Sequence, residues 1–173
     1  MKIGQRAIIV LIGLLTSFLA AGAMPASARV PADRTRDGTI AVAQGAGGER
    51  TAHLPSRSSR TSAVSVATPA PTTSPAAVHR YFTTAATFTC AYQYVCAAVP
   101  YGNGSYIFDF YYYGTYSLSY WHGVGAIINN QSGGAAARLL DINGHQVTCV
   151  PPPASFFINW DPIWYIRLTS SHC

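Results

Sequence analysis

Before Tyr81 the chain has no cysteine and, apart from Phe18, no aromatic side chain. A stretch so poor in large apolar groups cannot offset the entropy lost on ordering, which excludes a conventional packed domain there. From residue 80 onward Lys and Glu are missing altogether. Arg80, Arg138 and Arg167 are balanced by Asp109, Asp141 and Asp161. The formal charge of +5 therefore originates at the front of the chain and gives the aromatic part no nucleic-acid surface. No segment carries a helical apolar period, and no second apolar run is long enough to span a membrane. These absences leave one small domain of roughly 90 residues, too small for a multidomain enzyme.

Residues 1–28 read as an export signal. Lys2 and Arg6 start it, an apolar run extends from Ala7 to Ala23, and Ala26-Ser27-Ala28 supplies the small-x-small cleavage pattern. Residues 29–80 read as a disordered linker or pro-region rich in Ala, Ser, Thr, Pro and Arg. Within it, the run from Ala67 to Pro75 (Ala-Thr-Pro-Ala-Pro-Thr-Thr-Ser-Pro) is expected to be extended and spacer-like. The arginines between Arg29 and Arg60 suit contact with acidic cell-wall polymers, or simply solubility. No internal sequence repeat is visible.

Residues 81–173 read as a disulfide-stabilised all-β domain. Phe88 to Val99 is β-branched and aromatic, and Tyr101-Gly102-Asn103-Gly104-Ser105 is turn chemistry. Tyr106 to Tyr113 alternates, with Tyr106, Phe108, Phe110 and Tyr112 on one face. Asp109 falls on the other, more exposed face. Gly114 is expected to end that strand. Ala126-Ile127-Ile128 reads as a short buried strand, Asn129 to Gly134 as a turn, and Ala135 to Ile142 as a strand. Asn143-Gly144 signals a hairpin into His145 to Val150, and the three prolines from Pro151 stop that strand. Ile163 to Leu168 is the last strand. Short strands at close spacing with Gly-rich turns predict a Greek-key sandwich or barrel.

Cys90, Cys96, Cys149 and Cys173 in an exported domain predict two disulfides rather than a metal site. Three pairings are possible. Cys90–Cys96 with Cys149–Cys173 is favoured, because one strand-turn unit closes naturally over the first pair. For acid–base chemistry the domain offers only Asp109, Asp141 and Asp161, with His79, His122, His145 and His172 nearby in sequence or within it. Neither a nucleophile elbow nor a metal-binding His pair is present. Neither catalysis nor a cofactor is expected.

Several segments in a fixed order resemble a known family. They are Cys90-Ala-Tyr-Gln-Tyr-Val-Cys96, Gly104-Ser105, the aromatic strand, the stretch from Gly114 through Trp121 to Gly125, and Ile128-Asn-Asn-Gln-Ser-Gly-Gly134. This order is similar to the secreted actinobacterial peptidase inhibitor family typified by a Streptomyces inhibitor of thermolysin-like metalloproteinases. The resemblance covers about residues 88–173 and implies a βγ-crystallin-type Greek-key fold. It also implies a protease-facing loop around Thr148, Cys149, Val150, Pro151 and Pro152, with Val150 as the apolar anchor. The sequence departs from the family in two places: Pro153-Ala154 stands where the inhibitor has a second loop cysteine, and Tyr113 where relatives commonly have a half-cystine. Crystallin-type folds often bind calcium through paired Asn/Asp followed by Ser or Thr. Asn129, Asn130 and Ser132 approximate that motif, but no carboxylate accompanies them, so a polar turn is the preferred reading.

The resemblance implies a secreted monomeric inhibitor whose partner is an extracellular protease, with no membrane contact once the signal is cleaved. An alternative function class is a carbohydrate- or cell-wall-binding module with Tyr111, Tyr113, Tyr116, Tyr120 and Trp121 as an aromatic platform. A further alternative is a structural or antimicrobial crystallin-like protein.

Overall fold

The computed structural model describes residues 42–44, 48–56 and 69–173. The expected export signal lies outside the described residues. All regular structure among them is β. In chain order the strands are β1 (Val42–Gln44), β2 (Arg50–His53), β3 (Thr72–Ser74), β4 (His79–Thr83), β5 (Thr87–Cys90), β6 (Val95–Tyr101) and β7 (Gly104–Phe110). They are followed by β8 (Gly114–Ser119), β9 (Val124–Asn129), β10 (Ala136–Leu140), β11 (Gln146–Val150), β12 (Ala154–Asn159) and β13 (Tyr165–Thr169).

Two five-stranded antiparallel sheets carry the fold. The first has the order β12-β9-β6-β7-β4, the second β11-β10-β13-β8-β3; a small third sheet, β1-β2-β5, joins neither ladder. The strand order shows a repeat that the sequence does not. Strands β6 to β9 and β10 to β13 form two consecutive four-stranded units. In each, the first strand pairs with the second and the fourth, while the third strand joins the other unit's sheet. Thus β8 lies beside β13, with Tyr116 opposite Ile166, and β12 lies beside β9, with Phe156 opposite Ile127.

The core follows from alternation. Phe108 and Phe110 of β7, Tyr116 and Leu118 of β8, and Ile166 and Leu168 of β13 all point between the two sheets. At the centre, Trp121 precedes β9 and Trp160 precedes β13, so the two indoles occupy corresponding places in the two units. Their rings meet edge to face at 4.8 Å, a favoured geometry for aromatic pairs. Both indole N–H groups are satisfied: Trp121 donates to the Thr72 carbonyl and Trp160 to that of Ala98, each at 2.9 Å. Gly125 makes room for the second bond, since a Cβ there would collide with the Ala98 carbonyl and the Trp160 indole. Pro100 is tolerated in β6 because the ladder to β9 stops at Ala98, leaving it paired on the β7 side only.

The disulfides are Cys90–Cys96 and Cys149–Cys173. They close separations of 6 and 24 residues, and the chain-entropy model assigns them about 2.4 and about 3.5 kcal/mol. Two such bridges are typical of extracellular proteins.

The boundary expected at residue 81 is corrected by the strands upstream of it. Arg50 to His53 pairs with β5 in the register Ala52↔Phe88, and Ala52 and Leu54 are buried against the outward face of the first sheet. Thr72 to Ser74, inside the expected spacer, is the edge strand beside β8. Neither segment builds a core of its own. The Thr-rich β3 extends the edge of the second sheet, while β1 and β2 join β5 in the small sheet. Gly114, expected to end a strand, opens β8, and β12 fills the stretch after the prolines where no strand was anticipated.

Candidate functional site

Four connections converge at one region of the sandwich: the β5–β6 turn, the tyrosine turn between β7 and β8, the β9–β10 loop and the proline turn between β11 and β12. Backbone bonds tie the first of these to the third. Gln93 N–H donates to the Asn130 carbonyl and Asn130 N–H to the Tyr94 carbonyl, both at 2.9 Å, while Cys90–Cys96 closes the β5–β6 turn.

Asn129 and Asn130, the weak calcium candidates, act as internal clamps. Asn129 is fully buried. Its Nδ2 donates to the carbonyls of Val150 at 2.8 Å and Ala135 at 3.1 Å, while its Oδ1 accepts the Gln131 N–H at 3.1 Å. Asn130 Nδ2 donates to the carbonyls of Gly48 and Cys90. Calcium takes oxygen ligands, whereas here the amide nitrogens face the carbonyls and Ser132 lies exposed beyond them. Among the described residues no three His, Cys, Asp or Glu side chains gather closely enough to hold a metal ion.

The proline turn joins an edge strand of one sheet to an edge strand of the other. Thr148 and Cys149 are half-buried in β11, and the Cys149–Cys173 bridge ties that strand to the chain after β13. Val150 corrects the expectation made for it: its side chain is 0% exposed and packs in the core with Leu139, so it is not available as an anchor in a protease pocket. The alternation explains why, because the last residue of β11 faces inward. Pro151 and Pro153 are exposed and Pro152 is half-buried, so the outward-facing groups of the segment begin one residue later than expected.

The expected aromatic platform divides in two. Tyr116 and Trp121 are core residues, 4% and 3% exposed, and the spacing of Tyr116 and Leu118 by two on one strand is the signal that would have found this. Tyr111, Tyr113 and Tyr120 are exposed as expected; Tyr112, expected on the inward face, is more exposed than any of them, because β7 ends at Phe110. The Tyr116 hydroxyl donates to the Tyr112 carbonyl at 2.9 Å and so holds the tyrosine turn from beneath. Burial pushes the Tyr116 hydroxyl above the usual phenol range, keeping it a donor.

Each aspartate from β7 onward has a histidine beside it: His79–Asp109 at 3.6 Å, His122–Asp161 at 3.3 Å and His145–Asp141 at 3.5 Å. Two of the carboxylates also fix turns. Asp141 Oδ1 accepts the N–H groups of Asn143 and His145, and Asp161 Oδ1 that of Gly123. Asp109 differs: burial raises its pKa, partly opposed by His79, and its Oδ1 is buried without a partner. The exposed His172 ring lies against Gly134, away from these pairs.

Comparison of the chain with protein-family models, with curated proteins and with solved structures returns no match.

Proposed function

We propose that the chain is an exported peptidase inhibitor of crystallin-type Greek-key build, directed at metalloproteinases, with Pro151 to Pro153 as its recognition element. The observation that carries this reading is the clamping of that turn. Cys149 is bridged to Cys173, and the Val150 carbonyl is held by buried Asn129 at 2.8 Å. The turn itself presents the exposed Pro151 and Pro153. A segment fixed in this way loses little entropy when it enters a protease cleft. Its prolines withhold the backbone donors that an extended substrate would offer, which disfavours productive cleavage. The trading of third strands between two consecutive units supports the family resemblance, since interlocked Greek keys require such an exchange.

The test is inhibition of a thermolysin-type metalloprotease by the full chain, compared with Pro151→Asp and Pro153→Asp. Micromolar or tighter inhibition is expected, corresponding to about 8 kcal/mol of binding. Both substitutions should weaken it at least about tenfold, or 1.4 kcal/mol. Failure of the parent chain against metallo-, serine and cysteine proteases alike would overturn the proposal.

A further inference from the structure

We infer that the tyrosine turn and the β9–β10 loop form a second binding site, one that takes an uncharged polysaccharide. Tyr111, Tyr112, Tyr113, Gln93, Gln131 and Ser132 line an open hollow of about 290 Å³. None of these side chains carries a charge at neutral pH, so the hollow selects neither phosphate nor carboxylate groups. The three rings are 41%, 67% and 57% exposed, an unusual concentration of apolar surface on one short turn. Tyr111 and Tyr112 meet edge to face at 5.3 Å, and Tyr111 also packs on Tyr94 at 5.2 Å. The platform is thus built before any ligand arrives.

Gln131 supplies the independent observation. It is 8% exposed, lines the hollow, and its buried Oε1 has no hydrogen-bond partner. An unsatisfied buried amide oxygen is costly, on the order of 1–3 kcal/mol, and a ligand donor removes that cost. In the same hollow Gln93 accepts a bond of 3.4 Å from the Tyr111 hydroxyl, leaving its amide N–H groups for a ligand. Sugars match this combination. The polarised C–H face of a pyranose lies against the negative face of a tyrosine ring, and its hydroxyls both donate and accept, as paired amides require.

Binding of the full chain to soluble hexasaccharides of glucose, N-acetylglucosamine and xylose, measured by titration calorimetry, tests the inference. At least one should bind. Tyr112→Ala should lower that affinity at least about tenfold. Gln131→Leu should lower it similarly while leaving Tm equal or higher, a result that a merely structural glutamine would not give. Protease inhibition should survive Tyr112→Ala, and glycan binding should survive Pro151→Asp, so the failure of one site is distinguishable from that of the other. Absence of binding to all three sugars, or capture of a protein through the tyrosines in their place, would overturn it.

Discussion

The two five-stranded sheets share one core, yet their outward faces differ. The second sheet turns Thr115 and Arg167 to solvent, where Arg167 Nε donates to the Thr115 hydroxyl at 3.1 Å. The burial of β8 and β13 accordingly alternates along each strand. The first sheet is covered on both sides at its centre, while its edge strands β4 and β12 stay partly exposed. Nearly every residue of β6 and β9 is buried, because Cys96, Ala98, Ile107, Ala126 and Ile128 meet a second cluster made by Ala52, Leu54, Phe88 and Cys90. A sheet buried on both faces reads as a continuous apolar run, and a half-exposed one as alternation. The difference traces to a few residues in a stretch that looks too polar to fold.

The deepest test of the comparison is the feature the sheets share. Trp160→Ala removes a fully buried indole that contacts Trp121 and bonds to the first sheet, and should cost about 3–5 kcal/mol by urea unfolding. The outward faces come next. Ile107→Ala and Leu54→Ala should each cost about 2–5 kcal/mol, whereas Arg167→Ala on the open face of the other sheet should stay within about 0.5 kcal/mol. Equal effects on the two faces would mean that residues 50–54 do not act as a cover.

The smallest expected effect concerns Asp109, whose carboxyl lies at the covered face. Burial raises its folded pKa above the usual carboxylate value, against the opposing influence of His79. The stability contribution of the protonated form is therefore complete in acid and is lost as pH rises through that raised value. Asp109→Asn should make the protein slightly more stable than the parent at neutral pH, by about one or two degrees in Tm. The advantage should vanish below the ordinary carboxylate range. His79 is largely exposed, so losing its ion pair subtracts little. A variant less stable than the parent at pH 7 would count against this account.

Much of the fold was legible wherever a residue type has one dominant use. The pairing of four cysteines, the Asn143-Gly144 turn with Gly144 at φ 80°, and the inward Phe108 and Phe110 all follow from local chemistry. What escaped depends on partners distant in sequence. Ile107 looked like an outward residue until Ala52 and Leu54 were placed above it. The resemblance makes Val150 an outward anchor, while its own position at the end of β11 points it inward. Tyr116 and Tyr112 exchanged roles once the strand ended at Phe110. No local pattern encodes the exchange of β8 and β12 between units, since it is a property of how two sheets close.

That exchange also sets the order of events in time. During synthesis β6, β7 and β9 emerge early and are able to pair, but β8 has no neighbour in its own unit. Apart from the short edge strand β3, its sheet partner is β13, whose Tyr165 pairs with Ser117 across nearly fifty residues. Until β13 is made, the core that Phe108, Phe110 and Leu118 share with Ile166 and Leu168 is incomplete. Folding is accordingly late, dominated by long-range pairing, and slow for the size of the chain.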